Sequence, residues 1–167
     1  MSGSAGTVRT APAPATEGLE AIFENVFGNM EKFIEVCPDN IWTQKFGGWP
    51  VWQHVYHILA LTGTFAAGAP PAQLPMPMET VRLAQTPDTS WSRREAKVFA
   101  AQMRLSAGSF CAGLGDADLG RKNEFLSQMF KSDMPHSAAF ALMIGHLFYH
   151  LGVCDSALRE NGLKGMI

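Results

Sequence analysis

The stretch GHLFYHLG, residues 145–152, places His146 and His150 one helical turn apart inside an apolar run. On a helix the two lie about 40° apart around the axis and roughly 6 Å apart along it, so both imidazoles can reach one ion. The same wheel puts Ala139, Leu142, Met143, Val153 and Ala157 on their face, a stripe expected to be buried. Neutral imidazoles there need hydrogen-bond partners, and few polar side chains on this face can supply them. A shared metal ion meets that need; histidines satisfied within a core or an interface are the alternative.

A third donor would favour the metal. The stretch HVYH offers His54 and His57 on a second helix. By stripe arithmetic His54 sits with Val51, Val55, Ile58 and Thr62 near the middle of the apolar face, and His57 lies towards its edge, so packing alone slightly prefers His54. Three neutral imidazoles suit zinc, nickel or another late divalent ion and leave a coordination position open. Such an ion lowers the pKa of a bound water or holds a thiol as thiolate. His136 lies about 15 Å from His146 along the helix, so it cannot share the ion and is expected as an exposed helix-start residue.

Other candidates have structural readings. Cys154 extends the row to H-x-x-x-H-x-x-x-C and invites a role as nucleophile or fourth ligand, but buried cysteine is a common helix filler. Tyr149 could donate near the ion and is expected as a packed aromatic. His54, if not a ligand, is a donor behind one or a packed residue that finds a carbonyl. The nine methionines lack clustered M-x-x-M spacing and read as core filling. Arg159 is expected to cap its helix or pair with a carboxylate.

Four helices would position these groups. The first follows Leu19, Ile22, Phe23, Val26, Phe27, Met30, Phe33, Ile34 and Cys37, with Thr16 as cap and Pro38 as stop. DNIWTQKFGGW reads as a turn, and Pro50 in a first turn launches the second helix to about Ala67. Residues 68–90 carry five prolines and form a long crossover of the kind that often covers sites. Ser90 caps a third helix over about residues 91–114, with Phe99, Met103, Ser106 and Phe110 on one stripe and Val98, Leu105 and Ser109 beside it. After an irregular connection, Pro135 precedes a fourth helix over residues 136–160, ended by Asn161 and Gly162. No convincing strand alternation or repeat is present, so the expected class is all-α, a four-helix bundle with a long crossover between helices two and three.

The 167 residues fit a single domain over residues 16–167, preceded by a tail over 1–15. With 17% charged residues and net charge −2, the chain has no basic field for nucleic acid. Its three cysteines, Cys37, Cys111 and Cys154, form no C-x-x-C pair, which fits a reducing cytoplasm. His146, His150 and Asp155 interrupt the most apolar span, so no membrane role is expected.

The block GGWPVWQHVYHILA resembles the second-helix signature of the DinB/YfiT-like superfamily, in which a tryptophan precedes a metal-binding histidine by eight positions; Trp49 and His57 match. HLFYHLGVCDSALRENGL is similar to the family's last-helix block at His146, His150, Gly152, Arg159 and Gly162. The resemblance spans about residues 17–163 and implies His57, His146 and His150 as the metal ligands, with His57 preferred by register over His54. Ala60 stands where members often carry an acidic residue, which removes an assumed acid or base. The resemblance further implies a metal-dependent enzyme acting on a small molecule, as a thiol-dependent S-transferase using a thiol such as mycothiol or bacillithiol, or as a hydrolase. The alternative is a metal-stabilised interaction protein without turnover, in either case with a homodimer in view.

Overall fold

The computed structural model describes residues 14–167. Most of the expected tail therefore lies outside the described residues, but Pro14 and Ala15 belong to helix α1 (Pro14–Val36). Thr16 is consequently inside the helix and does not cap it. Its backbone N–H bonds Asp116 Oδ1 at 3.1 Å.

Pro38 ends α1 and caps a short helix α2 (Asp39–Trp42). A hairpin follows, with β1 (Lys45–Phe46) antiparallel to β2 (Trp49–Pro50). These two short strands were not expected from the sequence, because they are too brief to alternate. Gly47 and Gly48 form the turn with φ of 59° and 100°, the backbone that a two-residue hairpin requires. Pro50 pairs in β2 and is the residue before α3 (Val51–Ala67), so it precedes the first turn. The crossover holds one short helix, α4 (Met78–Val81), and α5 runs over Arg93–Ala112. The connection expected to be irregular contains α6 (Asp116–Leu119) and α7 (Glu124–Phe130). The last helix, α8 (His136–Glu160), has the expected bounds, and Gly162 closes its end at φ 75°.

The cap of α5 is Ser92, two residues after the one expected. Ser92 and Glu95 form both halves of a capping box. Ser90 has Arg93 at the equivalent position and cannot form one. The seam of α5 is built from Ala96, Phe99, Ala100, Met103, Ala107 and Cys111, while Val98 and Leu105 are 58% and 73% exposed rather than beside the core.

The fold is all-α, and its four long helices pack as a closed ring in which α1 and α3 each lie beside both α5 and α8. Along α3 and α5, Tyr56 meets Phe99 while Gly63 faces Met103, so these helices run parallel. Parallel neighbours cannot be joined by a tight turn, which accounts for the length of the crossover. Phe23, Val26, Phe27, Met30, Phe33 and Ile34 of α1 fill the core with Val55, Ile58 and Leu59 of α3. The helix α8 is long and apolar enough to cross a membrane by composition, yet it contributes Phe140, Met143, Leu147 and Leu151 to this core.

Helix α3 is buried on every side over residues 51–60, polar side chains included. Gln53 answers its burial by donating to Gln85 O at 2.7 Å and Thr80 O at 3.3 Å while accepting from Thr86 Oγ1 at 2.7 Å. Tyr56 Oη donates to Met76 O and accepts from Met76 N, both at 3.0 Å. Trp49 Nε1 donates to Leu83 O at 2.9 Å. The crossover is thus fastened to Trp49 of β2 and to Gln53 and Tyr56 of α3. Replacing Gln53 with Leu should cost about 1–3 kcal/mol in urea unfolding, because buried carbonyls lose their donor. It should also raise amide exchange over residues 76–86, with exchange in α1 unchanged.

A second clasp lies at the C-terminus. Asp155, buried on α8, accepts from Arg159 Nε at 2.6 Å, from Ile167 N at 3.2 Å and from Met166 N. A Cβ at Gly165 would collide with Asp155 Oδ1 and Arg159 Nε, so glycine is needed for this close approach. Burial alone would raise the Asp155 pKa, but the bonds from Arg159, Met166 and Ile167 outweigh it and hold the carboxyl below its usual range. A depressed carboxylate stabilises the fold above its unfolded pKa, about 4, and the contribution is lost as pH falls through the folded value. Asp155→Asn should therefore lower the Tm at pH 7, with the gap to the parent chain closing as pH falls below about 4.

Candidate metal centre

Helices α3 and α8 run antiparallel, with His54 opposite His150 and His57 opposite His146. His57 and His150 are buried and His146 is half-buried. The three form a group whose ligand atoms all lie within 4.8 Å of one another, and it is the only group of that kind among the described residues. His146 Nε2 stands 3.1 Å from His57 Nε2 and 3.0 Å from His150 Nε2. Donors about 2.0–2.1 Å from a tetrahedral ion stand roughly 3.3 Å apart, so these separations suit one shared cation.

Proton positions agree with that use. His57 Nδ1 bonds the carbonyl of Val81 in α4. A carbonyl only accepts, so Nδ1 carries the proton and the neutral ring turns its Nε2 lone pair towards His146. The half-buried His146 is the most exposed member of the group. Its one Nε2 proton would satisfy only one of two neighbouring lone pairs, whereas a cation accepts from all three nitrogens.

Electrostatics keep the rings neutral. Burial pushes the His57 pKa down to about 4, opposed by the Val81 bond and reinforced by His146 and His54. Burial lowers that of His150 to about 2, with His57, His146 and His54 adding to the shift. Burial lowers His146 as well. At neutral pH all three are therefore free of the proton that would compete with a metal.

The other candidates fall outside the group. His54 finds a carbonyl as expected, its Nε2 lying 2.8 Å from Phe46 O, but its Nδ1 also lies 3.2 Å from His150 Nδ1. Packing arithmetic favoured His54 over His57 on the assumption that the most apolar direction faces the site. Over residues 51–60 α3 is buried all round; His54 meets His150 through Nδ1, and His57 meets His146 through Nε2. Cys154 is fully buried, its thiol pKa pushed up by burial, and packs in the core. Tyr149 is not packed: it is 65% exposed, edge-on to His150 at 4.9 Å between ring centres. His136 is half-buried rather than exposed, with Nδ1 3.3 Å from Asn123 Nδ2. Arg159 pairs with a carboxylate, Asp155, as expected. Ala60 is buried, and no carboxylate joins the three imidazoles among the described residues.

Sequence reasoning missed the two carbonyls that orient the site, Phe46 O and Val81 O. Every residue has a carbonyl, so only the hairpin and the docked crossover reveal which ones serve. A surface cavity of about 600 Å³ lined by Pro75, Trp91, Arg94, Glu95, Val98 and Phe99 contains none of the histidines. The three imidazoles could hold a metal ion, and the donor set fits a metal-binding protein.

No curated protein and no solved structure matches the chain. The sequence model described as the DinB superfamily matches residues 22–154, a span that contains Trp49, His54, His57, His146 and His150, and the chain therefore belongs to the DinB superfamily.

Proposed function

We propose that this chain is a divalent-metal-dependent enzyme in which His57, His146 and His150 hold one zinc or nickel ion. Convergence of three imidazole Nε2 atoms from two helices carries the reading, with His146 at the accessible edge. Bound there, such an ion supplies Lewis acidity and a position at which a small thiol is held as thiolate or a water is made more acidic. The chain's own part is to keep the three rings neutral by burial and to fix the His57 ring against Val81 O. The crossover, through that carbonyl, shapes one wall of the entrance. A low-molecular-weight thiol donor and a small-molecule acceptor are the substrates of a transferase of this kind, with hydrolysis the other reaction open to it. The free buried cysteines fit a cytoplasmic setting, and exposed Phe148 and Tyr149 on α8 support pairing of two copies.

A second reading follows from the donors' origin: an ion shared between α3 and α8 ties two helices together and stabilises the fold without turnover. Ala60 supports it, since it leaves the expected acid or base missing.

Metal analysis of untagged protein grown with zinc and nickel should find one ion per chain. His57→Ala and His150→Ala should each abolish that loading; unchanged loading in either would overturn the site. Chelation should lower the Tm, since zinc at 100 times its Kd contributes about 2.7 kcal/mol. Thiol transfer or hydrolysis across a substrate panel, lost on chelation, favours the enzyme; a Tm loss without turnover favours the helix tie.

A further inference from the structure

Four histidines, not three, occupy this region, and the metal reading uses only three. His54 stands behind His150, 3.2 Å away between their Nδ1 atoms, with its other nitrogen 2.8 Å from Phe46 O. We propose that His54 is a positioning residue that sets the proton on His150, so that the hairpin carbonyl of Phe46 decides which nitrogen of a metal ligand is free.

The argument runs by donor and acceptor parity. Phe46 O can only accept, so His54 Nε2 carries a proton. A neutral His54 then has a bare Nδ1, which can only accept. The group facing it is His150 Nδ1, which must therefore donate. A neutral His150 with its proton on Nδ1 presents a lone pair on Nε2, the atom 3.0 Å from His146 Nε2. Reversal of any one bond would put a proton where an ion has to bind.

The surroundings hold the His54 ring in place. It is buried, its ring stands nearly perpendicular to that of Trp49 at 5.9 Å between centres, and a Cβ at Gly47 would lie 3.6 Å from its Nε2. The Gly47–Gly48 turn brings Phe46 O to it. His57 obtains the same orientation directly from Val81 O, without an intervening ring. The two buried ligands are thus oriented by backbone carbonyls from two different segments. A histidine ligand whose second nitrogen is held this way binds metal about 10–100-fold more tightly than one whose partner is removed.

The inference rests on the metal reading for its consequence, but the proton positions can be read without metal. Nitrogen-15 spectra of histidine rings in metal-free protein should show His150 protonated at Nδ1 and His54 at Nε2. His54→Phe keeps a ring but removes the acceptor; it should disturb the His150 proton pattern and weaken zinc affinity about 10–100-fold in a competition titration. His54→Gln offers an amide oxygen to accept and an amide N–H to donate, and should recover most of the affinity. A His150 proton on Nε2 in the parent chain would overturn the relay. So would a His54→Phe protein with unchanged zinc affinity and ring spectrum. If the parent chain takes up no zinc, the metal reading fails, while the ring protons of the parent chain and of His54→Gln still decide the relay.

Discussion

An imidazole removed from water has two nitrogens to satisfy, one donating and one accepting, and each unsatisfied atom costs about 1–3 kcal/mol. Helix α3 takes this constraint to an extreme, because residues 51–60 are buried all round and include Gln53, His54, Tyr56 and His57. None of these side chains can be tolerated unless a partner comes to it. Besides Thr86 and the facing histidines of α8, the partners are backbone groups of the hairpin and the crossover: Phe46 O, Met76 O, Thr80 O, Val81 O and Gln85 O. The segments outside the four-helix ring are therefore as much a part of the site as the helices. Hydrogen bonding tells each of them where to lie on α3.

This dependence connects stability with the site. The bonds from Gln53 and Tyr56 hold the crossover down, and the crossover then holds His57 through Val81 O. Parallel packing of α3 and α5 forces a long connection, and that connection serves to satisfy a buried polar stripe. Just before α3, two glycines with positive φ turn the hairpin so that Phe46 O faces His54. The geometry at His150 is then set two bonds away, in a segment with no metal-binding side chain of its own.

The sequence made the helices and the histidines legible for the same reason: both are periodic. The bounds of α8 follow from Pro135, a largely apolar run and Gly162, and the spacing of His146 and His150 follows from one helical turn. What was hidden lacks a periodic signal. Strands of two residues cannot alternate, and a carbonyl has no letter of its own. Ser90 and Ser92 both look like caps, and only Glu95 three residues after Ser92 separates them. Val98 and Leu105 are exposed because α5 turns a narrow face to the core, through Ala96, Phe99, Ala100, Met103, Ala107 and Cys111. Family register points to His57 and packing arithmetic to His54, and a helix buried on every side over residues 51–60 gives such arithmetic no exposed face to start from.

On the proposed metal reading, three neutral donors leave the charge of a divalent cation uncompensated. The groups that act on the His57 and His150 pKa values by charge are other histidines, and no carboxylate joins the donors among the described residues. In a half-buried setting that charge is only partly screened, so an anionic ligand gains more at the open position than a neutral one. A thiolate meets this requirement, and deprotonation of the thiol is the change that the same charge promotes. An acidic side chain at the position of Ala60 would place a negative charge near the donors and weaken this preference. Alanine there leaves the selection of an anion to the ion and its three rings.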